Sequence, residues 1–83
     1  DAMSTEVNVS GMVFSGISEP LTSEKITLSV KLRYLAKEEK CVLQYEGEGR
    51  AKAFLSQPVR AVTPGQSAVF YDGDILVAGG FIS

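Results

Sequence analysis

The chain has no histidine, no tryptophan, one cysteine and three prolines in 83 residues. The shortages of histidine and cysteine each exclude a class of chemistry. Without histidine, a serine or cysteine nucleophile has no imidazole base to activate it. Zinc sites built from cysteine and histidine are equally out of reach. The lone Cys41 cannot close an internal disulfide, which excludes a disulfide-stapled secreted scaffold and points to a reducing cytoplasm. No apolar run approaches the roughly 18 residues of a membrane span, and the start, DAMSTEVNVS, is too polar for a signal peptide. An excess of positive charge is missing too: 8 Lys and Arg stand against 10 Asp and Glu, a net charge of −2. The chain is therefore no polycationic nucleic-acid binder, and any RNA contact has to come from a local patch.

What is present is a globular composition, 45% hydrophobic and 22% charged, with too much apolar residue for disorder. The length allows one domain, residues 1–83, with a thin core, since so short a chain buries only about 60% of its unfolded surface. Strand signals dominate it. In KITLSVKLRY, residues 25–34, Ile26, Leu28, Val30, Leu32 and Tyr34 alternate with Lys25, Thr27, Ser29, Lys31 and Arg33. A period of two sustained over that length marks a half-buried strand. Upstream, EVNVSGMVF alternates at Val7 and Val9 and changes phase at Met12 and Phe14, with Gly11 at the change, the signature of a β-bulge. Residues 15–24, broken by Pro20, read as a polar loop.

Further on, CVLQY (41–45) and RAKAFL (50–55) flank EGEG, a β-hairpin signal. Cys41, Leu43 and Tyr45 share one face of the first arm, and Ala51, Ala53 and Leu55 one face of the second. SQPVRAVTPGQ (56–66) reads as a crossing loop with one helical turn before Pro64. The apolar runs 68–71 and 75–82 meet at Asp72-Gly73, which predicts a type I′ turn with both residues at positive φ. The last run is apolar on both faces, so its outer face is expected to be covered. Gly79-Gly80 suggests a tight corner or a close backbone approach. Six short strands and no convincing helix predict an all-β fold, a small six-stranded antiparallel β-barrel whose closure removes its edges.

The same residues carry a resemblance. Lys31-Leu32-Arg33-Tyr34, then Arg60-Ala61-Val62-Thr63-Pro64-Gly65-Gln66 with Val69-Phe70-Tyr71-Asp72-Gly73-Asp74, then Gly79-Gly80-Phe81-Ile82, are similar in type and order to the C-terminal β-barrel domain of bacterial tRNA-specific 2-thiouridylases. The likeness covers about residues 26–83, and the first 25 match weakly. It implies a barrel resembling the second domain of translation elongation GTPases, and a chain that is one piece of a larger enzyme. Residues 1–5 are set apart from the barrel as disordered or foreign to it. The parent enzyme of such a domain is a transferase that replaces the 2-oxygen of a tRNA wobble uridine with sulfur. It activates the uridine with ATP and Mg in an N-terminal PP-loop domain, and uses its own pair of cysteines together with a persulfide sulfur relayed to that domain by a donor. None of that apparatus is in this sequence, so the resemblance implies no catalytic residue, no metal and no cofactor here, and Cys41 is not given the sulfur-carrying role. The implied partners are tRNA and the catalytic domain, not a membrane.

Four residues are candidates for RNA contact: Lys31, Arg33, Lys52 and Arg60. Lys31 and Arg33 project from the polar face of the 25–34 strand, with Lys25 on the same side. They read either as a stripe that holds phosphates or as an ordinary solvated face. Lys52 is offset by Glu46 and Glu48 at the hairpin tip. Arg60 is open to an RNA or domain contact, or to a structural role binding loop carbonyls or Asp72. Tyr34, Tyr45, Phe54, Phe70 and Phe81 are expected in the core, and Tyr71 is the aromatic to examine for exposure. Asp72 and Asp74, being turn residues without a cleft, make a poor acid–base pair. Two further functions compete. One is a structural interaction barrel without RNA contact, docking a protein through an exposed patch of Leu76, Ala78 and Ile82. The other is a single-strand-binding barrel, which needs aromatics beside cations on its exposed face.

Overall fold

Alternation of apolar and polar residues becomes strand because successive side chains leave the pleat on opposite faces. The computed structural model of the chain describes residues 3–32, 37–60 and 63–83. Its strands are β1 (Met3–Phe14), β2 (Lys25–Lys31), β3 (Glu39–Gly47), β4 (Arg50–Arg60), β5 (Ser67–Asp72) and β6 (Ile75–Ile82). Every pairing is antiparallel, in the order β1-β4-β3-β2-β5-β6, and β6 returns to β1 to close the barrel. The expected six-stranded barrel is borne out. β1 begins at Met3, inside the five residues that the sequence set apart, and Met3 and Ser4 pair with Arg60 and Val59.

The core fills the barrel from all sides. Val7 and Val9, Val30, Leu43, Phe70 and Val77 are its largest fully buried side chains, and among the described residues no polar or charged side chain is buried. Burying an aliphatic or aromatic side chain of this kind stabilises by about 1.5–3 kcal/mol, so a thin core still suffices once closure leaves no strand edge wet. The face assignments for the hairpin hold: Cys41, Leu43, Tyr45, Ala51, Ala53 and Leu55 all point inward.

The turns and bulges set the phase of each strand. Gly11 has a φ of +63°, and the β1–β6 register shifts between Ser10 and Val13, so the bulge read from the sequence is present. It moves Met12 into the core and turns Val13 out. The connection between β5 and β6 differs from expectation. Asp72 pairs with Ile75, which makes Gly73 and Asp74 the central residues, and of these only Gly73 has positive φ. A glycine at positive φ in the first central position alone is the type II′ pattern, not I′.

Residues 56–60 are also strand rather than the expected loop. Glu6 opposes Phe54 and Ser4 opposes Val59, so two steps along β1 are matched by five along β4. The surplus residues bow out of the ladder there. Pro58 sits in that bow, where its missing N–H costs no ladder bond. The helical turn expected before Pro64 falls on residues 61–62, outside the described residues.

A bulge in β6 explains why alternation misjudged its faces. Tyr71 opposes Leu76 and Phe70 opposes Ala78, leaving Val77 as the extra residue. Val77 and Ala78 are both buried, whereas Leu76 is exposed and Ile82 is buried. The expected outer patch of Leu76, Ala78 and Ile82 is thereby corrected: Leu76 alone of the three faces solvent. Gly80 bears out the close approach, since a Cβ there would lie 2.7 Å from Val9 Cγ1 and 2.8 Å from the Ser10 carbonyl oxygen.

The 15–24 loop is fastened to the barrel at two places. The Ser15 and Gly16 amides donate to the Val77 carbonyl at 2.9 and 3.2 Å. At the other end the Ser23 amide donates to the Tyr45 carbonyl at 2.6 Å, and the Tyr45 amide to that of Glu24 at 3.0 Å. The Tyr45 phenol completes the attachment: it donates to Glu19 Oε2 at 2.6 Å and accepts from the Gly49 amide at 2.8 Å. Phe14 meets its ring edge-on, 5.3 Å between centroids. The bond to the Glu19 carboxylate favours the protonated phenol and raises its pKa above the usual value, while the Gly49 N–H pulls the other way.

Candidate nucleic-acid interface

With the interior taken by the core, any contact must use outward side chains. On β2 these are Lys25, Thr27, Ser29 and Lys31, in opposite phase to the buried Leu28 and Val30. Lys31 is half-buried at the end of the strand and opposes Val69 of β5. Lys25, exposed at the other end, opposes Gln44. Lys40 of β3 is exposed and opposes Ser29. That places it diagonal to Lys31, about 7–8 Å away between Cα atoms. None of these three lysines makes an ion pair with a described residue, although the acidic Glu38 and Glu39 stand at the same end of the barrel.

Lys52 is placed otherwise. Its Nζ lies 3.6 Å from Glu6 Oε2 and 3.9 Å from Glu46 Oε2, so its charge is shared between two carboxylates. Arg50 is paired at 3.8 Å with Glu48 at the hairpin tip, and both are well exposed. Exposed pairs of this kind contribute about 0–1 kcal/mol to stability, but they neutralise the tip as the sequence suggested. Arg33 lies outside the described residues, as does the side chain of Arg60, whose backbone ends β4 opposite Met3. Of the four candidates the structure therefore places two side chains, and it does not bring them together. Lys31 and Lys52 stand two strands and six residues apart, about 22 Å from strand spacing and rise.

The sequence missed two features of this surface. Lys40 was legible, because Cys41 points inward and its neighbour must point outward. The aromatics were misread: Tyr45 and Phe70 are core, but Phe54 is 37% and Phe81 is 55% exposed. Phe54 lies between the inward Ala53 and Leu55, and Phe81 between the inward Gly80 and Ile82, so alternation puts both outside. Tyr34 lies outside the described residues, and Tyr71 is half-buried. Cys41 is buried on β3, and burial pushes its thiol up to about 11, far from the reactive thiolate that sulfur chemistry needs.

Comparison with known proteins fits this geometry to a family. The model of a family described as the aminomethyltransferase beta-barrel domain matches residues 4–82, a span that reaches into every strand. The tRNA-specific 2-thiouridylase MnmA of Shewanella sediminis (strain HAW-EB3) is 49% identical over 63 residues, 76% of this chain and 16% of that protein. The protein of the same name from Shewanella frigidimarina (strain NCIMB 400) is 42% identical over 80 residues, 96% of this chain and 21% of its own length. That of Bacillus subtilis (strain 168) is 42% identical over 65 residues, 78% and 18%. The chain thus spans only about a fifth of the curated relatives it matches. The barrel closure, the family match and the motifs running from Lys31 to Ile82 agree: the chain belongs to the aminomethyltransferase beta-barrel domain family, in the form found in tRNA-specific 2-thiouridylases.

Proposed function

We propose that the chain is the accessory barrel of a tRNA-uridine 2-sulfurtransferase, where it positions tRNA while the sulfur transfer takes place in another domain of the same protein. In that reading the catalytic domain binds ATP with Mg, activates the wobble uridine and receives sulfur from a relay donor in the cytoplasm. The barrel supplies no reacting group. Its own part is electrostatic, and one observation carries it: Lys25, Lys31 and Lys40 stand on the outer face of β2 and β3 without an ion pair to a described residue. The names of the relatives, which specify tRNA, supply the polyanion.

Contacts of this type neutralise phosphates and release counterions, so they hold RNA without reading its sequence. The test is a titration of the 83-residue chain with unmodified tRNA across a range of salt. Replacing Lys25, Lys31 and Lys40 together by Gln should weaken binding at low salt and reduce the log–log salt slope by about 2–3. Binding that is undetectable at low salt would leave the barrel only a packing role in the parent protein. The exposed Ile75 and Leu76, at the start of β6, are what favours that second reading.

A further inference from the structure

The outer surface of β5, β6 and β1 carries a groove of about 250 Å³ lined by Gly11, Val13, Ser67, Val69, Gly79 and Phe81, with Ala68 and Gly80 behind them. Val13 is 69% exposed and Phe81 55%, while Gly79, two residues before Phe81 on β6 and directly opposite Val13, presents no side chain. The result is an aromatic ring standing beside a floor of backbone. The lining contains no charged group. The acids of the β5–β6 turn, Asp72 and Asp74, are at the far end of the hairpin, about 20 Å along the strands from Phe81.

The size of the groove limits what it takes. A protein–protein interface uses about 20–30 residues a side, whereas this groove has eight. It is also smaller than the pockets that enclose drug-sized ligands, which begin near ~300 Å³. A single flat ring system fits it better than a partner's helix or strand. Charge supplies the other half. Phe81 opposes Ser67 on β5, and Lys31 opposes Val69, two residues further along the same strand. Lys31 is therefore two strands from Phe81, about 12 Å between Cα atoms. Its flexible stem shortens that gap, and it has no ion pair to a described residue.

Resting on the RNA-positioning role proposed above, we infer that this groove is a docking site for an unstacked base of single-stranded RNA. Phe81 stacks on the base, the Gly79 backbone lets it approach, and Lys31 holds a phosphate of the same segment. Base–aromatic stacking tolerates every base, so the site selects single-stranded from paired RNA rather than one sequence from another.

The experiment uses the 83-residue chain and a fluorescein-labelled single-stranded RNA decamer of mixed sequence, with its duplex as the comparison. The single strand should bind more tightly than the duplex. Phe81→Leu keeps an apolar side chain but removes the ring, and should weaken single-strand binding about five- to hundredfold, whereas Phe81→Trp should preserve it. Gly79→Val fills the groove without touching the ring. The φ of Gly79 is not positive and a Cβ there would lie 3.7 Å from its nearest neighbour, the Ala68 carbonyl oxygen, so the barrel should fold normally and lose the same affinity. Lys31→Gln should lower the salt slope by about 0.7. The inference is overturned if Phe81→Leu and Gly79→Val bind like the parent chain, if duplex binds as tightly as single strand, or if the groove proves to pair two copies of the chain by sedimentation. Lysine-dependent binding that ignores Phe81 overturns this site alone; no RNA binding at all overturns the positioning role with it.

Discussion

Replacing Tyr45 by Phe removes one oxygen atom and leaves the packing of the ring, including its edge-on contact with Phe14, in place. That oxygen joins three parts of the molecule: β3, the loop through Glu19, and the turn through Gly49. Two hydrogen bonds are lost. One, at 2.6 Å, has a carboxylate acceptor and belongs to the class worth about 1.5–3 kcal/mol; the other, from a backbone amide at 2.8 Å, belongs to the class worth about 0.5–1.5 kcal/mol. Glu19 is exposed and water replaces part of what it loses, so the lower ends of both ranges apply. The expected destabilisation is about 1.5–2.5 kcal/mol, a sizeable share of the few kcal/mol that hold so small a domain together. Urea unfolding should show it as a lower midpoint at an unchanged slope. Hydrogen exchange at the Gly49 amide should accelerate by more than global unfolding requires, because its acceptor is gone while the barrel stands. A double-mutant cycle with Glu19→Gln should return a coupling near 1 kcal/mol. A loss below about 0.5 kcal/mol, or unchanged exchange at Gly49, would refute the account of the phenol as a fastening point.

Two further expectations concern the core. Gly80→Ala should destabilise by about 1–3 kcal/mol, since its Cβ would meet Val9 and the Ser10 backbone below 3 Å, whereas Gly79→Ala should be nearly neutral; thermal melts of the pair compare them directly. Cys41 has a folded pKa of about 11 against an ordinary 9.0, so its contribution is fully present below pH 9 and fades as pH rises toward 11. Unfolding titrations from pH 8 to 11 should show that loss and Cys41→Ser should remove it, while alkylation at pH 8 should be slow in the native chain and fast in urea.

What the sequence made legible follows from where alternation is undisturbed. The β2–β3 ladder, and the β3–β4 ladder from Cys41 to Tyr45, run without a register shift, and Leu28, Val30, Cys41, Leu43, Ala51 and Ala53 fall inside as their spacing demands. Gly11 announced its bulge because glycine and a phase change coincide there. The bulge at Val77 has no such mark, as valine, alanine and leucine read alike whether they point in or out. The bow at residues 56–58 was hidden for a related reason: Pro58 argues for a loop, and only the far partner, β1, shows that a strand resumes after it. The site was less legible than the fold. Charged residues advertise themselves, but which of them is already neutralised depends on strands distant in sequence, as Glu6 beside Lys52 shows. Phe81 has the composition of a core residue, but the inward Gly80 and Ile82 on either side of it turn its ring outward.

The pairing of β2 with β5 has a consequence for how the molecule comes together and apart. The hairpins β3–β4 and β5–β6 join neighbours in sequence and form at little entropic cost, whereas β2 and β5 are some forty residues apart when Ser29 meets Tyr71, Val30 meets Phe70 and Lys31 meets Val69. Contacts of that separation are closed late, after local pairs have shortened the search. Both Val30 and Phe70 are 0% exposed, so the seam runs through the middle of the core rather than along its rim. Closing the barrel and drying its interior are then one event, and the chain should melt as a unit instead of unravelling strand by strand.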